Sequence, residues 1–583
     1  MSDLNLLRYY SRLVPFGIGV EHKTTLPEVA NSLCTTPRHA RNLLNQMLEL
    51  AWLSWLPKAG RNQRSTLLLN LELSELKAQL AAKRILQGKY EKALAILDDD
   101  EMAFGRLLQT TSGASMREGR LHIQLTYKRP FERLVPHHLQ RSSERYLLRQ
   151  IYCCLVASAA DGVLEPQLAH HWHCDSNALE WTFYLRPGLT FHNGSTIDAE
   201  SVVSLFKKLA TLDDYQSELN HLVDVHSPLP NKIVFTLSKP DQGFGGLISG
   251  VKYSIQPIGQ VNDSTGKQVI GCGPFQVTEH SDSKLCLQAF DRYYACRALT
   301  DQVTIWHLDE SELENKQIQT NQPGAQASAD CHYFVSHAVS KHIDRNVQKS
   351  RTEDGCMFVL FNQCADIILD ENQRRFLSTY LTPQKVYAFL ESNNLLFGCE
   401  NANNLLPMWH NITRPQMPVV SLPQQLSIAI YDYSSLSNCA LAVKHLLEQC
   451  GVEVSIQSYS YRKLTSRASL GQLQESLIIT NINLDDNRHA SAFNSLYHNP
   501  IIQRCIGEHS KAWLLERLNQ LRSDTELTQY LNALEPIASA LINQFWLSPL
   551  FHHRQTLRFQ GVLKDVGLTN WGWPDIKNVW SAD

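Results

Sequence analysis

Between Thr24 and Asn70 the apolar residues recur first at helical and then at strand spacing, and this change of period predicts a helix-turn-helix followed by a wing. Thr25-Leu26-Pro27-Glu28 has the spacing of a capping box, with a hydroxyl at the N-cap, proline just inside the helix and a carboxylate three residues on. The short helix that follows buries Leu26, Val29, Ala30 and Leu33 and is expected to end near Cys34. Thr36-Pro37 repeats the start signal for a longer helix to about Leu50, on which Ala40, Leu43, Leu44, Met47 and Leu48 mark the inner face. Two or three residues are expected between the helices. Trp52–Leu56 and Ser65–Leu69 read as two short strands joined by the basic, glycine-containing hairpin Pro57–Arg64. Ahead of them Leu4, Leu7, Tyr10, Leu13 and Val14 fall on one side of a first helix.

Downstream, Leu73 to about Gln109 keeps helical spacing, broken at Gly88 and Gly105. That pattern suits a packed connector, a dimer surface or a relay between domains, and does not choose among them. Thr111–Ser115, small and polar, is the candidate boundary. From there Leu121, Ile123, Leu125 and Tyr127 alternate as a strand, and a helix follows from about Ser143 to Leu155. Trp181–Arg186 alternates as a half-buried strand, Pro187-Gly188 turns it, Leu189–Phe191 reads as a second strand, and His192-Asn193-Gly194 is a tight turn. Thr196–Glu200 opens a helix containing Val202, Val203, Leu205 and Phe206, whereas Gly243–Gly246 reads as a loop. Strand Leu426–Ile430, helix Leu441–Cys450 and strand Val452–Ile456 make a βαβ-like unit, which predicts mixed sheets flanked by helices.

Composition narrows this picture. A chain of 583 residues is too long for one core, and 43% hydrophobic with 19% charged residues is ordinary for a folded protein. No run reaches the length of a membrane span, and Pro15 and Gly17 break the apolar residues where a leader would lie, so a cytoplasmic location is expected. Fourteen cysteines include no C-x-x-C pair and read as small buried hydrophobes, with adjacent Cys153-Cys154 the one pair whose role stays open.

Charge singles out the front of the chain. From Arg8 to Arg64 there are eight cations and three anions, a local +5 where the whole chain carries −3. The outer face of the second helix holds Arg38, His39, Arg41, Asn42, Asn45 and Gln46 beside the capping Thr36. Arginine bonds guanine bidentately, and asparagine or glutamine does the same with adenine. Lys58, Arg61 and Arg64 in the hairpin suit phosphates, so double-stranded DNA is the expected partner. His170, His171, His173 and Cys174 carry zinc-type side chains, yet an extended segment would place His170 opposite His171 and His173, without converging ligands. No nucleophile elbow, phosphate loop or H-E-x-x-H helix occurs, so neither catalysis, metal nor cofactor is expected.

A family resemblance adds to this. Leu168-Ala169 with Trp172, Phe183-Tyr184-Leu185-Arg186 through Phe191 and Gly194, and Asp198-Ala199-Glu200-Ser201-Val202 resemble the signature of oligopeptide-type solute-binding proteins. Gly271–Phe275, with Cys272 where that family has threonine, Phe290–Tyr294, Phe361-Asn362 and Gln373–Leu377 continue it. A winged helix-turn-helix ahead of such a domain is similar to SgrR-type regulators, bacterial transcription factors of sugar-phosphate stress; Thr36–Leu44, Gly60–Ser65, Tyr127–Pro130 and Gly572–Lys577 agree. The resemblance implies a winged helix-turn-helix over 1–70, a helical connector over 71–115, and a two-lobed α/β periplasmic-binding-protein-like domain over 116–583. It also implies an activator responding to a small ligand, whether sugar phosphate, sugar or peptide-like, with Tyr127, Arg129, Asn362 and Trp409 as candidate contacts. A transporter's solute-binding protein is the alternative.

Overall fold

The computed structural model describes residues 3–58, 63–127, 129–138, 141–263, 268–308, 331–336, 346–560 and 563–581. At the front lie α1 (Asp3–Ser11), β1 (His22–Thr24), α2 (Leu26–Ser32), α3 (Pro37–Glu49), β2 (Leu53–Leu56) and β3 (Ser65–Leu69). The capping box forms as the spacing predicts: Thr25 Oγ1 accepts from the Glu28 N–H, and the Glu28 carboxylate accepts from the Thr25 N–H at 2.9 Å. That bond, seconded by the Thr24 hydroxyl, holds the Glu28 carboxyl below its ordinary range. Thr36 caps α3 through the His39 N–H at 3.3 Å. The turn between the helices takes four residues, Leu33–Thr36, rather than two or three, with Cys34 left-handed at φ 54°. Arg12, just after α1, pins it by donating to the Leu33 carbonyl at 2.8 Å.

Ala40, Leu43, Leu44 and Met47 are fully buried, but Leu48 is 44% exposed. At 100° per residue Leu48 has rotated about 80° past Ala40, beyond the edge of the buried stripe. β3 pairs antiparallel with β2 and, unforeseen in the sequence, with β1, so the wing is a three-stranded sheet in the order β1-β3-β2.

Three further helices, α4 (Leu73–Leu86), α5 (Tyr90–Ile96) and α6 (Glu101–Thr110), pack directly on this unit. Their Leu76, Leu80, Ile85, Ile96 and Leu108 join Leu7, Tyr10, Leu43, Met47 and Trp52 in one hydrophobic cluster. The segment is a packed connector. It is also continuous with the larger domain, because β4 (Gly113–Arg117) and β5 (Arg120–Tyr127) enter the middle of a large sheet. Gly113–Ser115 is therefore strand, and the polar boundary expected there lies inside the sheet.

That sheet has the order Phe275–His280, Lys284–Ala289, Thr300–His307, β5, β4, Cys331–Ser336, Leu547–Gln560, Gly355–Phe361, Leu477–Asn483, Gln425–Tyr431, Glu453–Tyr459. Its first six strands belong to lobe one, and the four after Leu547–Gln560 belong to lobe two. The 14-residue strand Leu547–Gln560 lies in both: Leu547–Phe551 pairs with Gly355–Phe361, and Thr556–Phe559 pairs with Cys331–Phe334. In lobe two, Gln425–Tyr431 and Glu453–Tyr459 run parallel across helix Ser434–Glu448, the βαβ unit read from the sequence.

Lobe one carries a second, four-stranded sheet of Ala169–Cys174, Glu180–Leu185, Leu222–Leu229 and Lys232–Leu237, covered by helix Ala199–Leu209. Leu189–Phe191 is not a strand: a single bridge joins Thr190 to Thr196, and Leu189 and Phe191 serve the core from a loop. Gly243–Gly246 is not a loop either. It enters the buried helical turn Phe244–Ile248, where a Cβ at Gly243 would lie 2.2 Å from the Tyr530 hydroxyl and one at Gly246 2.5 Å from Leu527. Close packing, not a phosphate or a hinge, selects those glycines. Helix α7 (Ser142–Ile151) covers lobe one beside the cleft. Gly271 and Gly273 let the turn before Phe275 approach its end, since a Cβ there would lie 2.0 Å from the Ile151 carbonyl oxygen and 2.6 Å from its carbon. No helix among the described residues is long and apolar enough to cross a membrane.

Candidate nucleic-acid interface and inter-lobe cleft

The buried stripe of α3 fixes which side chains can leave the unit. Arg38, Arg41, Asn42 and Asn45 are exposed on one face, and Lys58 and Arg64 are exposed on the wing. Among the described residues Arg38, Arg41 and Lys58 have no carboxylate within ion-pair distance, so their charge is free for phosphate or base edges. His39 is half-buried edge-on against Tyr9 at 6.0 Å, and Gln46 is half-buried, so both sit at the margin of this face. The Lys58 backbone is set by a bond from its N–H to the Ser65 hydroxyl at 3.2 Å. Arg61 lies outside the described residues.

Between the lobes is a cleft of about 1450 Å³. Aromatic and amide side chains furnish much of it: Tyr431, Tyr433 and Tyr461 from lobe two, Trp571 and Trp573 from the C-terminal segment, and Asn481, Asn483 and Gln555. The Asn483 and Gln555 side-chain oxygens are buried without a protein donor, which leaves two acceptors for a ligand's hydroxyl or amine groups. Gln555 is oriented by Glu353, whose carboxylate also pairs with His553 at 3.0 Å.

The cations here are largely neutralised. Arg141, Arg145 and Arg149 are spaced four residues apart at and along one side of α7 and face Asp432, Asp485 and Asp486 of lobe two at 3.4, 2.9 and 2.7 Å. These three pairs bridge the lobes. Arg504, exposed at the rim, has no such partner among the described residues. Two of the imidazoles, His138 and His498, add no charge at neutral pH, because burial pushes them down to about 4. Unfolding returns each to about 6.5, so the unfolded chain binds more protons between those values. Stability is thus complete above about 6.5 and declines as pH falls toward 4. Thermal unfolding across that range is expected to show a falling midpoint, and His498→Gln to flatten the slope by on the order of 1 kcal/mol after allowance for partial exposure.

The four candidate ligand contacts divide. Tyr127 and Arg129 line the cleft. Tyr127 stacks on Phe131 at 4.9 Å, and Arg129 donates to both oxygens of Glu144 at 2.6 and 3.0 Å, so this guanidinium already has its anion. Burial opposes the Glu144 charge, but Arg129 and the Ser143 hydroxyl outweigh it and hold the carboxyl below its ordinary range. Asn362 and Trp409 do not line the cleft. Asn362, 1% exposed, donates to the Leu473 and Glu475 carbonyls and accepts from the Cys364 N–H, which ties the end of its strand to a neighbouring loop. Trp409 is packed in the core of lobe two and donates to the Leu531 carbonyl at 2.9 Å. Family-like position makes both candidates, and an amide or indole looks alike in sequence whether its partner is a ligand or a backbone carbonyl.

Sequence reasoning missed the lobe-two tyrosines and the arginine row of α7. The i, i+4, i+8 spacing of Arg141, Arg145 and Arg149 was the available signal. His170, His171 and His173 depart from simple alternation: a register shift between Ala169 and His171 brings all three within 6.5 Å of the Tyr184 ring centre, around an aromatic residue.

Two family models match the chain. Residues 5–119 fit "Sugar transport-related sRNA regulator N-term", and 163–373 fit "Bacterial extracellular solute-binding proteins, family 5 Middle". Similar curated proteins include the HTH-type transcriptional regulator SgrR of Photorhabdus laumondii, 30% identical over all of this chain and 99% of that protein, and that of Yersinia enterocolitica, 31% identical with the same coverage. Among solved structures, NikA from Brucella suis in complex with Fe(III)-EDTA matches 78% of this chain and 99% of its own, with a TM-score of 0.62 at 14% identity. The oligopeptide-binding protein AppA from Bacillus subtilis in complex with a nonapeptide matches 81% and 100%, also at 0.62 and 14%. These structural likenesses speak for the fold of the lobes alone.

Proposed function

The chain belongs to the family of SgrR HTH-type transcriptional regulators, and from that premise we propose how its parts divide the work. α3 enters the major groove with Arg38, Arg41, Asn42 and Asn45 toward base edges, and Thr36, His39 and Gln46 at the margin of the contact. Lys58, Arg61 and Arg64 of the wing lie along the phosphates. The single observation that carries this reading is the free charge on one face of α3, where neither Arg38 nor Arg41 is paired among the described residues.

The lobes hold a small polar ligand between them, and its presence changes how far they close. Stacked tyrosines, tryptophans and unpartnered amide oxygens suit the hydroxyls of a sugar or the backbone of a peptide-like molecule. An anionic ligand among the arginines of α7 has to compete with Asp432 or Asp485, which leaves Arg504 at the rim as the uncontested cation among the described residues. Because α4–α6 are fixed to lobe one, lobe two moves against the DNA-binding unit. The coupling can be no larger than the ligand's differential affinity for the two states, typically about 1–3 kcal/mol. The alternative, a transporter's solute-binding protein, accounts for the lobes and leaves α1–α3 without a role.

Electrophoretic shift with genomic fragments at two salt concentrations tests the reading. Arg41→Ala is expected to lose about 1–3 kcal/mol of affinity and relax base preference, whereas Lys58→Ala weakens all sequences alike and lowers the salt slope by about one. Equal loss on every sequence from both changes would remove α3 from the groove. Thermal-shift screening of sugars, sugar phosphates and peptides identifies the ligand, since a molecule that binds the folded state raises its melting temperature.

A further inference from the structure

The arginines of the cleft mostly have carboxylate partners; two arginines elsewhere do not. Arg186 directly follows strand Glu180–Leu185, and Arg292 follows strand Lys284–Ala289. Together with His170, Thr190, Cys272 and Tyr294 they line a separate pocket of about 280 Å³, where the small sheet of lobe one meets the large one. No residue is shared between its lining and that of the cleft.

The guanidiniums are held in place by uncharged groups. Arg186 Nε donates to the Gln167 carbonyl at 2.7 Å and its plane lies over the Tyr294 ring at 5.3 Å, which leaves its terminal nitrogens available. Arg292 lies over Phe290 at 6.0 Å, beside the Gly194 turn. Its neighbour Asp291 is turned away to Arg297 at 2.6 Å. No aspartate or glutamate lines the pocket, and among the described residues neither arginine has a carboxylate within ion-pair distance. The Thr190 hydroxyl is buried without a partner, one more group able to donate. The register shift in strand Ala169–Cys174 places His170 at the same rim.

Two like charges in one pocket with no counter-charge repel each other, and an oxyanion between them relieves the repulsion while accepting charge-assisted bonds from both. The volume lies just below the range of about 300–1,000 Å³ usual for small-molecule pockets, too small for a peptide. We propose that this pocket is a second ligand site, which takes a phosphate group, free or as a small monoester, outside the inter-lobe cleft. It goes beyond the reading above, which needs only the cleft, and neither depends on the other.

Calorimetric titration of the full chain with inorganic phosphate, a hexose phosphate and the parent hexose tests it. Both phosphates are expected to bind saturably at this site, and the hexose not to. Arg292→Glu, at an exposed side chain whose replacement leaves the core untouched, is expected to weaken phosphate roughly tenfold or more, and Arg186→Gln with Arg292→Gln to abolish it. Tighter binding of the ester than of inorganic phosphate assigns a monoester to the pocket; equal binding assigns free phosphate. Absence of saturable phosphate binding, or binding unchanged in these variants while circular dichroism shows them folded, overturns the proposal. So does loss of phosphate binding in Arg504→Gln alone, which would move the anion to the cleft. A sugar or peptide that still raises the melting temperature of the Arg292→Glu protein separates failure here from failure of the cleft reading.

Discussion

Replacing Arg129 with leucine is expected to lower folding stability by about 3–5 kcal/mol, far more than it lowers affinity for any ligand. The reason is the group it would abandon. The Glu144 side chain is 1% exposed, and its carboxylate is compensated by Arg129 and by the Ser143 hydroxyl on its own helix. Without the guanidinium it must take up a proton or draw water into the lobe. The double change Arg129→Leu with Glu144→Leu is expected to recover most of the loss, because removing both members of a buried pair is far cheaper than stranding one. Urea unfolding of the two variants beside the unaltered chain measures this. A loss below about 1 kcal/mol for Arg129→Leu, accompanied by a large fall in ligand affinity, would return Arg129 to the role of a ligand contact.

The second large effect is expected at Trp306. This residue projects from strand Thr300–His307 of lobe one between the connector helices, 4.8 Å from the Tyr90 ring and 5.7 Å from Phe104, with Lys284 on its other side at 5.3 Å. Arg117 and Gln124 flank it with bonds to the Leu86 and Leu108 carbonyls. Trp306→Ala is expected to remove about 2–4 kcal/mol from this docking and to leave the DNA-binding unit and the lobes folded but less dependent on each other. Calorimetry should then show one unfolding transition become two. Affinity for DNA should persist, while the influence of a cleft ligand on that affinity falls toward zero. A single transition with full ligand response would show that the signal takes another route.

How much of the molecule is legible in its sequence depends on the range of the interactions involved. Thr25–Glu28 and Thr36–His39 act within three residues, and each forms where the spacing placed it. The parallel strands around helix Ser434–Glu448 were equally legible, since a buried strand, a helix and a second strand in succession admit few arrangements. The cleft was not. Its lining combines Tyr127, Arg145, Tyr431, Asn483, Gln555 and Trp573, which only the topology brings together; of these Tyr127 alone is a candidate from the sequence, and Tyr431, Asn483 and Gln555 sit in no local pattern that marks a ligand site. Arg129 and Asn362 show the converse. A polar residue at a family-like position carries no mark of whether its partner is a ligand, a carboxylate 15 residues on or a carbonyl more than a hundred residues on. The glycines of Gly243–Gly246 mislead for a related reason: in sequence they signal the freedom of a loop, whereas their lack of a side chain is the property that the packing uses.

The strand Leu547–Gln560 has a consequence in time. Among the described residues it is the only strand through which the sheets of the two lobes join, yet it is among the last segments to be synthesised. The helices and wing of the reading unit, from α1 to α6, all lie within the first 110 residues. At about 5–20 residues per second, tens of seconds separate the emergence of those residues from the ribosome and that of the shared strand. For that interval each newly made regulator carries a finished reader and an unfinished sensor.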